Sequence, residues 1–182
     1  MTKDQINNND QASNLSASIN GDVKNSTVIV AGGNVQLHDA KPSIEELTKT
    51  IHQLIRDASF LEANDLCVQI LQQNHLHPEA NLYSGIALLN GNGADKLSRS
   101  KLATVESRLS YAAQHPNTKV TALAILGIVK HDYYYVNGLL EGKPTLRQVI
   151  EELNNSDLSA IQVDLLQQVK ASKSALRKIG LA

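Results

Sequence analysis

His115-Pro-Asn-Thr-Lys-Val-Thr-Ala-Leu-Ala-Ile-Leu-Gly-Ile-Val129 is the most apolar stretch of this 182-residue chain. Pro116 suits a first helical turn, where its missing N–H costs nothing. Val120, Leu123, Ala124, Leu126, Gly127 and Ile128 follow. A helix this rich in apolar residues belongs inside a fold and not on its surface. The stretch predicts a central helix, and with it a mainly α protein.

Working outward, helical spacing recurs on both sides. Pro42 precedes Ser43-Ile-Glu-Glu46, a capping box in which the Ser43 oxygen accepts the Glu46 N–H and the Glu46 carboxylate reaches back. Ile44, Leu47, Ile51, Leu54, Ile55 and Ala58 then form one apolar face. A second helix is expected over 60–74, with Ala63, Leu66, Cys67, Ile70 and Leu71 inward. A third follows Pro78 with Leu82, Tyr83, Ile86, Ala87 and Leu89, and stops at Gly91-Asn-Gly93. A fourth covers 98–114 through Leu102, Val105, Leu109 and Ala112. Beyond the central helix, Gly142 and Pro144 break the chain. Thr145-Leu-Arg-Gln148 is a second capping box and starts a short helix with Leu146, Val149, Ile150 and Leu153. One last helix is expected from Ser156 to Ile179. Lys170, Lys173, Arg177 and Lys178 crowd its end, where cations suit the macrodipole. Gly180 is the expected residue past its end. The expected body, 42–182, is an antiparallel helix-hairpin bundle or short α-solenoid of about seven helices.

Composition changes near Lys41-Pro42. Residues 1–41 hold seven Asn and no aromatic, whereas 42–182 hold all six aromatics. Residues 1–17 have almost nothing to bury and read as a disordered polar tail. Residues 18–41 read as a short β-strand arm, a small hairpin or meander. Thr27-Val-Ile-Val30 is β-branched, and Asn20-Gly21 and Gly32-Gly-Asn34 are turn signals. Short strands are expected near 18–23, 26–31 and 34–38. A sheet this small is marginal alone in water. It must pack, pair with another chain or stay loose.

Bulk chemistry narrows the function. No apolar run approaches the ~20 residues that span a bilayer, so no membrane segment is expected. The polar start, 1–11, has no apolar core of a secretion signal. One cysteine makes no internal disulfide and fits a reducing cytoplasm. The net charge of −1 exerts no general pull on nucleic acid. The late basic cluster is accounted for by the helix macrodipole.

Two stretches look alike: His77-Pro-Glu-Ala-Asn-Leu-Tyr-Ser-Gly-Ile-Ala-Leu-Leu89 and the opening one, their His-Pro pairs 38 residues apart. Each places a small residue, Gly85 or Gly127, where a neighbouring helix can approach closely. This pattern resembles the tetratricopeptide-like helical hairpin family over residues 43–180. It departs from that family in period, in the proline-to-glycine spacing of 7 against 11, and in having no tryptophan. The resemblance implies stacked helix pairs that bind peptides. In the arm, Gly21-Asp-Val-Lys-Asn-Ser-Thr-Val-Ile-Val-Ala-Gly-Gly-Asn34 is similar to a short β motif of bacterial signalling and defence proteins, found beside helical effector-associated modules and in STAND-type chains. That likeness implies a bacterial adaptor or effector-associated module, and it does not imply an enzymatic activity in this chain.

Catalytic and ligand motifs have plainer readings. Gly32-Gly-Asn34 lacks the Lys-Ser/Thr and helix of a phosphate loop and is a turn. His75-Leu-His77 has no companion ligands to complete a zinc set. Cys67 sits in an apolar stripe, where thiols are inert. Lys130-His-Asp-Tyr-Tyr-Tyr-Val136 is the most unusual run. Three consecutive tyrosines cannot all face one core, so one ring is expected to be exposed or to line a groove. His131 and Asp132 should diverge on a helix and have no visible nucleophile.

The sequence therefore predicts a cytoplasmic, non-enzymatic interaction module with no cofactor or metal, whose helical body binds a protein or peptide partner. Candidate contacts are Tyr133, Tyr134, Tyr135, Lys130 and Asn137, with Asn81, Tyr83 and Tyr111 elsewhere. An alternative is a homo-oligomer assembled through residues 18–38, with Thr27, Val28, Ile29 and Val30 seeking a strand edge. The second alternative is an enzyme whose site is built from scattered polar residues.

Overall fold

The computed structural model describes residues 42–182 in full, and the backbone alone at Ser26–Ala31 (β1) and Asn34–Asp39 (β2). β1 and β2 are antiparallel, with Val30 opposite Val35. The tail expected at 1–17 and the strand expected near 18–23 lie outside the described residues. The chain divides into two units at Lys41/Pro42. The second unit is mainly α-helical.

α1 (Ile44–Arg56) begins as its capping box dictates: Glu46 N–H donates to Ser43 Oγ at 3.2 Å, and Ser43 N–H donates to Glu46 Oε2 at 2.8 Å. Ile51 and Ile55 are buried. Ala58 leaves the expected face. It lies just past the helix, exposed, with φ +57°. Its N–H bonds the Ile55 carbonyl, and the Ser59 N–H bonds the Leu54 carbonyl. That is a left-handed cap made with alanine where glycine is usual.

α2 (Phe60–Gln73) buries Ala63, Cys67, Ile70 and Leu71. α3 (Pro78–Leu89) is capped by His77, whose Nδ1 accepts the Ala80 N–H at 3.3 Å, and is buried almost throughout. Asn90 and Gly91 then turn left-handed, with φ +53° and +64°. α4 (Arg99–Ala112) buries Leu102, Val105, Leu109 and Ala112, as their spacing predicts. α5 (Pro116–Lys130) is the expected central helix: every residue from Val120 to Lys130 is buried. α6 (Leu146–Asn154) starts on the second capping box, with both reciprocal bonds formed. Each helix from α1 to α6 packs on the next. The two glycines do what their size allows. A methyl on Gly85 would lie 2.8 Å from Leu109 Cδ2, and one on Gly127 would lie 2.8 Å from Ile179 Cγ2.

The single helix expected over Ser156–Ile179 is broken. A 3-10 turn (Leu158–Ala160), α7 (Val163–Leu166) and α8 (Lys173–Lys178) replace it. Side chains on α5 and just beyond its end take amides that would continue the helix. Gln162 N–H donates to Thr121 Oγ1 at 2.9 Å, and Ser172 N–H donates to Asp132 Oδ2 at 3.0 Å. Gly180 closes α8 as expected, with φ +79°. Its N–H bonds the Arg177 carbonyl, and that of Leu181 bonds Leu176. α7 reaches back to α1, where His52 Nε2 lies 2.8 Å from Asp164 Oδ2. A solenoid whose units touch only their neighbours has no such return contact. No helix among the described residues is long and apolar enough to cross a membrane.

Candidate functional site

α5 does not end at Lys130; it widens. His131–Tyr135 forms a π turn, in which the Val136 N–H bonds the His131 carbonyl at 3.0 Å. The Leu139 N–H likewise reaches the Tyr134 carbonyl at 2.9 Å. Such insertions alter which neighbours share a face, and they are frequent at functional sites. Here His131, Asp132 and Tyr134 are buried, Tyr133 is half-buried and Tyr135 is exposed. The expectation of one exposed ring is met by Tyr135.

Beneath the turn lies a charged network. Lys130 Nζ is 2.8 Å from Glu106 Oε1 and donates to the Gly142 carbonyl at 3.0 Å. The same ammonium sits 5.1 Å from the centre of the Tyr134 ring, a cation–π contact. Tyr134 Oη donates to Glu106 Oε2 at 3.3 Å. Burial, with the Glu106 charge beside it, pushes the Tyr134 phenol up to about 12. Lys130 therefore ties α4, α5 and the loop at Gly142 together from inside.

A second network links the turn to α8. Asp132 Oδ1 accepts the Ser172 hydroxyl at 2.6 Å and lies 2.9 Å from His131 Nδ1. His131 and Asp132 therefore meet, against the expectation that they diverge. The His131 ring stacks on Tyr135 at 5.2 Å, and Lys178 lies 5.5 Å over the other ring. Serine, carboxylate and imidazole are thus adjacent, yet the order is wrong for a hydrolase. There the imidazole must receive the serine proton. Here the Ser172 hydroxyl donates to Asp132, while its oxygen caps α8 by accepting the Ala175 N–H at 3.0 Å.

Above these networks is a groove of about 720 Å³. Its walls include Tyr134, Tyr135, Leu139, Leu146 and Ile150, with Glu141, Arg147 and Lys178 as its charged residues. An adjoining hollow of about 420 Å³ shares Tyr134 and Leu139 and adds Tyr133, Leu140 and Arg99. The chain beside them is unusually apolar for a surface. Tyr135 is 62% exposed, Val136 61%, Leu139 50% and Leu140 96%, within six residues. Scattered exposed apolar residues are ordinary; a contiguous set beside a groove is not.

The structure gathers Lys130, Tyr133, Tyr134, Tyr135 and Asn137 around the π turn, with Lys130 inside it. Asn137 Nδ2 donates to the Tyr133 carbonyl at 2.7 Å and so fastens the turn's end. The other candidates lie apart. Asn81 is buried, donating to the carbonyls of His75 and His77 and accepting from Arg108. Tyr83 is buried against His52, its ring centre 5.7 Å away, and burial pushes its phenol up to about 12. Tyr111 is half-exposed on α4, away from both hollows. Thr27, Val28, Ile29 and Val30 lie on β1, and their side chains are outside the described residues. Sequence reasoning missed Leu139, Leu140, Arg147, Ile150 and the role of Glu106. Two leucines between Gly138 and Gly142 were a readable signal; the placement of Arg147 and Lys178 on one groove was not.

The remaining chemistry-bearing residues are occupied structurally. Burial pushes the Cys67 thiol up to about 12, and its side chain is wholly enclosed. His77 caps α3. Among the described residues no three His, Cys, Asp or Glu side chains gather as a metal site. No family model, no curated protein and no solved structure matches the chain.

Proposed function

We propose that the helical body is a non-enzymatic interaction module, and that the groove over the π turn receives a segment of a protein or peptide partner. The observation carrying this reading is the exposed run Tyr135–Leu140 beside a groove lined by Leu146 and Ile150. Aromatic and aliphatic side chains in such a pocket are what interface anchors need. The tetratricopeptide-like pattern and the arm's likeness to bacterial defence proteins fit a cytoplasmic adaptor. The occupied roles of Ser172, Asp132 and Lys130 favour binding over catalysis. A photo-crosslinking residue at Leu140 tests the reading in the cell of origin, with Leu61, 75% exposed on α2, as the control position. A discrete protein adduct from position 140 alone is expected. Equal labelling from both positions, or none from 140, overturns it.

A second reading assigns assembly to the arm. Among the described residues the two-stranded sheet leaves an unpaired edge on each strand, which another chain can complete. Light-scattering mass of the full chain and of residues 42–182 separates the two. A particle mass that is oligomeric for the full chain and monomeric once 1–41 is removed supports assembly; two monomers reject it.

A further inference from the structure

The charges around the groove are not balanced, and the imbalance has a pattern. Three carboxylates lie close by, and each is engaged by neighbours within the fold. Glu106 meets Lys130 and Tyr134. Asp132 holds Ser172 and His131. Glu141 lines the groove itself, but its Oε2 accepts the Leu146 N–H at 2.8 Å and so caps the first turn of α6. The cations are turned outward. Arg147 and Lys178 edge the groove and Arg99 the adjoining hollow; all three are exposed, and none is ion-paired among the described residues. Among the described residues the surface thus offers apolar walls with three free cations against the single, hydrogen-bonded carboxylate of Glu141, although the whole chain carries a net charge of −1.

We infer that the occupant is an acidic, apolar peptide segment of a partner protein, its Leu- or Phe-type side chains in the groove and its carboxylates at Arg147, Lys178 and Arg99. This rests on the interaction-module reading and adds the partner's chemistry to it. Arginine suits the task because its fork engages a carboxylate with two donors. Lys178 is pre-positioned by its contact with the Tyr135 ring, so less side-chain freedom remains to be lost on binding. Complementary rim charges steer encounter and select partners more than they add affinity. The apolar walls therefore supply most of the binding, and the rim supplies the choice between an acidic and a basic segment.

The test uses the full chain and two synthetic twelve-residue peptides, one interspersing Leu and Phe with Glu and Asp, the other carrying Lys at each acidic position. Methyl resonances of Leu139 and Ile150 report occupancy. The acidic peptide should bind more tightly, on the order of tenfold, with the preference weakening as salt rises. The double variant R147E/K178E should lose or invert that preference while its circular dichroism stays unchanged. Equal affinity for both peptides, with binding abolished by Leu139→Asp, overturns the charge inference and leaves the groove reading standing. Shifts from neither peptide overturn both. Flotation with phosphatidylserine vesicles that depends on Leu140, or shifts at Leu139 that grow with protein concentration alone, would replace the peptide by a lipid surface or by a second copy of the chain.

Discussion

Lys130 Nζ and Glu106 Oε1 meet at 2.8 Å inside the protein, the lysine side chain only 1% exposed. Burying both charges costs about as much as their attraction returns, so the pair is poor evidence of net stability. Its effect is positional: it holds α4 against the end of α5 and sets the ring of Tyr134 that walls the groove.

That balance gives the first prediction. Lys130→Met leaves the Glu106 carboxylate buried without its cation and should destabilise by about 3–5 kcal/mol. The double variant K130M/E106L should recover most of that loss. Urea unfolding of the two variants measures it, and a double variant no more stable than the single one refutes the argument.

Ala58 occupies a left-handed cap with φ +57°. Glycine removes the Cβ clash of that conformation, which costs roughly 1 kcal/mol in an L-residue. Ala58→Gly should raise stability by about that amount. Gly180→Ala, at φ +79°, should lower it similarly.

Gly127 brings α8's end onto α5. A methyl there would meet Ile179 Cγ2 at 2.8 Å and Val149 Cγ1 at 3.5 Å. The overpacking cost of about 1–3 kcal/mol exceeds what alanine gains in helix propensity, about 1 kcal/mol. Gly127→Ala should therefore destabilise. Combined with Ile179→Ala, which removes the clashing atom, the total should fall short of the sum of the single losses.

Cys67, Tyr83 and Tyr134 share one pH dependence. Each is pushed up to about 12 from ordinary values of 9.0 for the thiol and 10.0 for the phenols. A raised folded-state pKa means that the native protein keeps its proton where the unfolded chain has released it. The stability contributed is intact below the unfolded pKa values and lost as pH rises towards about 12. Stability should hold to about pH 8 and then decline, and Tyr134→Phe should flatten the fall above pH 10. A thiol reagent at pH 8 should label Cys67 only at the rate of unfolding.

Much of the helical order was legible from local signals. The Ser43/Glu46 and Thr145/Gln148 boxes mark their helix starts because both halves of each bond lie within four residues. Leu102, Val105, Leu109 and Ala112 show their inward face because only one side of α4 meets the core. The density of apolar residues after Pro116 marks α5 as central. The same reasoning fails at 156–179. Leu158, Ile161, Leu165 and Val169 keep helical spacing, but Thr121 and Asp132 take the amides at Gln162 and Ser172. Spacing records which residues turn inward and carries no trace of a distant oxygen competing for a backbone donor.

The sequence by itself determined a mainly helical body, its caps, its central helix and a tyrosine run too crowded for one face. Those features follow from interactions within a few residues or from hydrophobic period. Only the tertiary structure decided that His131 and Asp132 come together, that Lys130 is buried against Glu106, and that Leu139, Ile150, Arg147 and Lys178 enclose one groove. These residues come from separate segments, and the π turn that orients them is stabilised by partners up to 40 residues away in sequence, such as Ser172 on Asp132. Local propensity cannot encode a geometry whose energy is supplied from that distance.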